Sequence, residues 1–96
     1  MVADSLLRIH RAGILRLAAC RGVRNVRIFG SFARGDHNEA SDVDFLVELE
    51  QGRSLLDLGG FLMDVRELLG RDVDVTTPGG LHWYIRDRIL SEAVPL

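Results

Sequence analysis

Apolar and polar positions recur along this chain with two different periods, and each change of period marks an element. Over residues 4–21, Leu6, Ile9, Gly13, Ile14, Leu17 and Cys20 fall on one side at helical spacing, while Arg8, Arg11 and Arg16 fall elsewhere. Asp4 or Ser5 can cap this helix and Gly22 can end it. The next seven residues are rich in β-formers, with Val26 and Ile28 alternating against Arg27, and predict the first strand. A short helical turn through Phe32, Ala33 and Arg34 leads into a polar loop at residues 35–41, and residues 42–48 return to strand character.

Ser54 with Asp57 three residues on predicts a capping box. It opens an amphipathic helix with Leu55, Leu58, Leu62, Val65 and Leu69 inward and Gly70 at its end. Gly59-Gly60 inside that helix costs about 1 kcal/mol per glycine relative to alanine, which predicts either another backbone in close approach or a local break. Residues 71–76 form a third strand, with Asp72 and Asp74 on one face and Val73 and Val75 on the other. Thr77-Pro78 reads as a cap and first residue of a last helix that turns Leu81, Tyr84, Ile85 and Ile89 inward. The order α-β-α-β-α-β-α predicts an α/β fold with a small mixed three-stranded sheet flanked by helices.

Composition narrows this only modestly. A chain of 96 residues buries about 60–65% of its unfolded surface, enough for one core, so residues 1–96 are expected to form a single domain. A net charge of −2 gives no general attraction to nucleic acid or an anionic membrane, so phosphate binding must be local. Cys20 is the sole cysteine, which excludes an internal disulfide and a thiolate zinc cluster and fits a reducing, cytoplasmic setting. It reads as a small core hydrophobe, and His10 as a half-buried histidine on the apolar face. The N-terminal segment, residues 1–5, lacks a basic stretch followed by an apolar run, so neither a leader nor a membrane span is expected.

The chemistry lies in two stretches. Gly30-Ser31 emerges from the first strand, where glycine lets a phosphate approach the backbone and serine offers hydroxyl and amide at a helical start. Arg34, one turn on, could reach a terminal phosphate with its fork of donors. Neither a Walker loop nor a dinucleotide fingerprint is present. Asp42 and Asp44 leave the same face of a strand with Cβ atoms roughly 6–7 Å apart, and such a pair calls for a cation, magnesium above all. Asp74 could add a third carboxylate and allow two metals, although alternation places Asp72 equally well. A Gly-Ser turn or an Asp-x-Asp at a strand edge is common surface when alone. Found in this order, each at the border of a β-rich run, they point to function. His37 reads as solvent-exposed loop, and His82, beside Trp83 and Tyr84, as surface.

At Gly30-Ser31-Phe32-Ala33-Arg34-Gly35, Ser41-Asp42-Val43-Asp44 and Val73-Asp74-Val75 the chain resembles the minimal nucleotidyltransferases of the DNA polymerase β superfamily, which are encoded beside HEPN-domain toxins. The ending through Tyr84-Ile85-Arg86-Asp87-Arg88-Ile89 to Glu92-Ala93-Val94 is similar too. The resemblance selects Asp74 over Asp72 and implies the polymerase β-like nucleotidyltransferase fold. It further implies that Asp42, Asp44 and Asp74 hold two magnesium ions, that Gly30, Ser31 and Arg34 hold ATP, and that Asp74 helps deprotonate the acceptor. The implied activity is transfer of AMP from ATP to a tyrosine of a HEPN RNase toxin, an antitoxin function compatible with a hetero-oligomer and needing no contact with nucleic acid. A chain this small is expected to receive its acceptor on a partner; Leu15, Phe61, Trp83 and Tyr84 could form part of such a contact, although a place at the edge of the core is the favoured reading of each. Two other readings stand beside this one: a binding module that blocks the toxin without catalysis, and transfer to a small acceptor such as an aminoglycoside.

Overall fold

In a computed structural model, which describes residues 4–96, the chain runs α1 (Ser5–Cys20), β1 (Val23–Phe29), α2 (Ser31–Arg34), β2 (Val43–Leu49), α3 (Leu55–Leu69), β3 (Val73–Thr76), a 3₁₀ turn (Pro78–Gly80), α4 (Trp83–Glu92) and β4 (Val94–Pro95). Residues 1–3 of the stretch read for a leader lie outside the described residues. The sheet has the order β3-β2-β1-β4, with β1 antiparallel to β2 and β4, and β2 parallel to β3. The predicted α/β class and mixed sheet are therefore present, with a fourth strand added. Two residues, one of them proline, are too short to show a period of two. Val94 pairs with Ile28, and Leu96 enters the core with its amide donating to the Val26 carbonyl at 3.1 Å.

Parallel pairing of β2 with β3 needs a crossover, and α3 supplies it. α1 and α3 pack on the sheet face that carries Val43, Phe45 and Val47, where Phe61 meets Phe45 edge-on at 6.0 Å between ring centroids. A bulge in β1, with Asn25 at a φ of 51°, shifts the register so that Val23 joins Val26 and Ile28 in the core. Leu46 points to the opposite face of β2 and is buried outside that main cluster, as is Ile89 of α4.

The helical stripes match the sequence reading in part. In α1 the buried stripe is Leu7, Ile14 and Ala18, while Ile9 and Cys20 are exposed. In α3 the buried residues are Phe61, Val65 and Leu69, and Leu55 is exposed. Ile14, Val65 and Leu69 lie inward as the pattern predicts, and Leu6, Leu17 and Leu58 pack half-buried against the core; Leu7, Ala18 and Phe61 are the buried positions the pattern does not mark, because nearly continuous apolar runs widen each stripe. α4 buries only Ile89, leaving Trp83 and Tyr84 exposed. Phe61 is fully enclosed and Leu15 packs half-buried against the core, the core reading favoured for both, which leaves only Trp83 and Tyr84 of the four as exposed contact candidates.

Several local signals hold. Asp4 caps α1 by accepting from the Leu7 amide at 3.1 Å, and Ser54 and Asp57 form the capping box of α3. Thr77 with Pro78 does start a helical turn, but one of three residues; α4 begins later, capped by the His82 ring, whose Nδ1 accepts from the Tyr84 amide. The glycine pair leaves α3 continuous. The close neighbour there is a side chain, not a backbone, because a Cβ on Gly60 would strike the Arg21 guanidinium, which reaches across to Asp64 at 3.1 Å. A Cβ on Gly59 would meet nothing within 4 Å. No helix among the described residues is long and apolar enough to cross a membrane.

Gly59→Ala is expected to stabilise the protein by about 1 kcal/mol, raising the melting temperature by roughly 4–8 °C. Gly60→Ala is expected to give a smaller gain or none, because its methyl displaces Arg21 from Asp64. Thermal and urea denaturation of the two variants side by side measures the difference.

Candidate active site

β1 ends by delivering the chain into Gly30, whose φ of 72° and ψ of −151° only glycine adopts readily. The absent side chain matters as much as the dihedrals, since a Cβ at this position would run into the Asp44 carboxylate. Ser31 opens α2, whose first amides have no carbonyl of their own helix to bond. Gly35, in the left-handed conformation, closes the turn, and the amides of Gly35 and Asp36 both donate to the Ser31 carbonyl, at 2.9 and 3.1 Å.

The loop between α2 and β2 is packed from several sides. The His37 ring stacks on buried Phe32, with centroids 4.0 Å apart and planes 9° from parallel, and its Nε2 lies 2.9 Å from Asp4 Oδ2 at the cap of α1. His37 is thus a packed residue, not the solvent-exposed one its loop position suggested. The Arg71 guanidinium sits 5.3 Å from the Phe32 centroid, and its Nη1 donates to the carbonyls of Asn38 and Ser41 at 3.1 and 3.3 Å. These contacts fix the residues that lead into Asp42.

β2 then carries Asp44 out on the sheet face opposite Phe45. The parallel register sets Asp44 directly against Asp74, so both side chains leave the same face, and Asp42 precedes Asp44 by the two residues that return it to that face. Asp42 and Asp74 are exposed and Asp44 is half-buried. Burial, with the charges of Asp74 and then Asp42, pushes the Asp44 carboxyl up from 3.8 to about 6, against a lowering pull from Arg34. Asp72 turns to a different partner, with Oδ1 3.4 Å from Nη2 of Arg66 on α3. Among the described residues no three His, Cys, Asp or Glu side chains already converge into a metal cage.

Arg34 is near enough to Asp44 for its charge to lower that pKa, and it is held by two other carboxylates. Its Nε lies 3.1 Å from Asp36 Oδ2 and its Nη1 2.7 Å from Glu92 Oε1 at the end of α4. The bond to Asp36, and then the charges of both carboxylates, raise its already high basicity. The charge of Glu92 adds, as the smallest of the causes, to the upward shift of Asp44, and sequence reasoning did not single it out. Its signal was only its place in the family-like ending. Gly30, Arg34, Asp42, Asp44 and Asp74 therefore meet at one open face, with Ser31 carried beside them at the start of α2. The cleft lined by Met63, Arg66, Glu67, Gly70, Arg71 and Asp72 contains none of them. The arrangement can bring an anion, taken by free amides and a guanidinium, against a cation held by carboxylates.

Residues 9–96 match the family model for the nucleotidyltransferase domain. Over 81 residues the chain is 46% identical to a protein of Methanocaldococcus jannaschii provisionally named protein adenylyltransferase MJ0435, covering 84% of this chain and 87% of that one. It is 36% identical over 91 residues to protein adenylyltransferase MntA of Thermococcus cleftensis, covering 95% and 89% of the two chains. A solved structure described as a provisional minimal nucleotidyltransferase superposes with a TM-score of 0.84 at 44% identity, over 94% of this chain and 92% of that one. A toxin–antitoxin crystal structure with AMP-PNP superposes with a TM-score of 0.73 at 16% identity, over 88% and 69%, a likeness of fold alone.

Because the folded protein holds the Asp44 proton more tightly than the unfolded chain does, the contribution of this group to stability without divalent metal is expected to fall as pH rises from about 4 through about 6 and to level off above. Screening of this half-buried group reduces the drop to on the order of 1–2 kcal/mol. Asp44→Asn should flatten that slope and be the more stable protein at pH 8, as read by urea denaturation across pH in a chelator.

Proposed function

The chain belongs to the nucleotidyltransferase domain family, and we propose that it is a magnesium-dependent enzyme transferring AMP from ATP to a tyrosine hydroxyl on a HEPN-domain RNase toxin, acting as a single minimal domain. The observation that carries the proposal is the placement of Asp44 against Asp74 on one ladder, with the Gly30 turn closed over Asp44. Transfer to a protein is supported by the names of the relatives, both protein adenylyltransferases, one of them provisionally. The fold likeness to a toxin–antitoxin structure with AMP-PNP fits a toxin as acceptor. The HEPN character of that partner rests on the motif resemblance.

The residues present suit magnesium. It favours oxygen ligands and is commonly held by one or two carboxylates together with substrate phosphates and water, so no complete protein cage is needed. A half-buried carboxylate whose neighbours push its pKa up is a site short of positive charge. Asp42, Asp44 and Asp74 would hold the metal, and when bound it supplies charge neutralisation at the phosphates and lowers the pKa of the acceptor hydroxyl. The Gly30–Ser31 backbone and the Ser31 hydroxyl would cradle the triphosphate, with Arg34 at its end. The acceptor oxygen attacks the α-phosphorus and gives its proton to Asp74. The bond between the α-phosphorus and the bridging oxygen breaks, and pyrophosphate leaves.

Purified protein incubated with α-labelled ATP, magnesium and a HEPN partner should label that partner at a tyrosine. Asp44→Asn should reduce labelling by on the order of 100-fold or more, a loss of several kcal/mol of transition-state stabilisation. Unchanged partner mass under these conditions overturns the assignment, and undiminished toxin neutralisation by the Asp42→Asn/Asp44→Asn double variant would favour stoichiometric blocking.

A further inference from the structure

Glu92 lies outside the motifs that define the carboxylate and phosphate ends of the site, yet the fold brings it to Arg34. Its side chain is 17% exposed while that of Arg34 is 52% exposed, and their closest contact is 2.7 Å. Both ends of this pair are tethered to the same short piece of β1. Glu92 is the last residue of α4, and two residues later Val94 pairs with Ile28. In the other direction Ile28 and Phe29 lead through Gly30 into α2, which carries Arg34. A long, flexible arginine is thus held between two points fixed on one strand.

The donor inventory shows what the pairing leaves free. Arg34 spends Nε on Asp36 and one proton of Nη1 on Glu92. A guanidinium has five N–H donors in a rigid fork, so both protons of Nη2 and the second of Nη1 are left for an anion. Two carboxylate anchors therefore orient the fork without exhausting it. We infer that Glu92 is a positioning residue: it holds the Arg34 guanidinium aimed across the face of Asp44, so that the free edge of the fork meets the triphosphate without losing side-chain freedom on binding. The inference rests on Arg34 being a phosphate ligand, as proposed above.

A double-variant cycle tests it on the full chain with ATP and magnesium, reading KM and kcat for labelling alongside direct ATP binding and thermal melting. Arg34→Ala should raise KM for ATP about tenfold, the usual scale for one charge-assisted contact. Glu92→Ala should raise KM roughly fivefold, with kcat within about twofold and melting little changed, because the Arg34 end of the pair is open to solvent and such a pair contributes little to stability. Glu92→Gln, which keeps an acceptor but not the charge, should fall between. In the Arg34→Ala background, Glu92→Ala should have no further effect on KM. If Glu92→Ala leaves KM unchanged while Arg34→Ala raises it, or if it weakens ATP binding equally in both backgrounds, the positioning role is overturned and the phosphate role of Arg34 stands. If Arg34→Ala leaves ATP binding unchanged, the reading of Arg34 itself fails.

Discussion

The structure depends on one pairing, the parallel ladder between β2 and β3 that sets Asp44 against Asp74. Like charges facing each other across neighbouring strands repel, and here one of them is half-buried. The ladder tolerates this because the same strand is anchored from behind. Val43, Phe45 and Val47, on the opposite face of β2, are fully enclosed by the α1–α3 layer. β2 is thus apolar toward the helices and carries Asp44 beside buried Leu46 on its other face, and burial of both valines and Phe45 holds the repulsion in place.

β1 connects the remaining parts. It pairs with β2 on one side and β4 on the other, and its end becomes the Gly30 turn. The carboxylate strand, the turn over it and the helix carrying Glu92 all take their positions from this one strand. Phe32, immediately after the turn, is stacked by His37 and approached by Arg71, so the loop leading to Asp42 is fastened both to α1, through Asp4, and to the start of β3. A short chain can fix Arg34, Asp42, Asp44 and Asp74 around the Gly30 turn in this way.

Much of this was legible in the residues. The element order, the capping box at Ser54, the turn at Gly30 and the alternation of Asp42 with Asp44 follow from local chemistry and were read from it. What could not be read depended on contacts distant in sequence. Alternation left Asp72 and Asp74 equivalent; the register with β2 and the pull of Arg66 on Asp72 distinguish their surroundings. Apolar residues on adjacent positions blur the stripes of α1 and α3, so the pattern finds Ile14, Val65 and Leu69 but not Leu7, Ala18 and Phe61. β4 was too short to register, and the packing of His37 depends on Phe32 and Asp4, neither of which marks it in sequence. Glu92 is 58 residues from Arg34, so no spacing rule could join them.

The space a Gly30 Cβ would need is already filled by the Asp44 carboxylate. The two proposed halves of the site, one for phosphate and one for metal, therefore share a single volume rather than merely a border. Neither can be redesigned alone, since any side chain introduced at residue 30 moves the carboxylate before it touches a nucleotide. Loss of function at that glycine would then be felt first as a displaced metal ligand, so a variant that appears to disable the phosphate turn would be a variant of Asp44 at one remove.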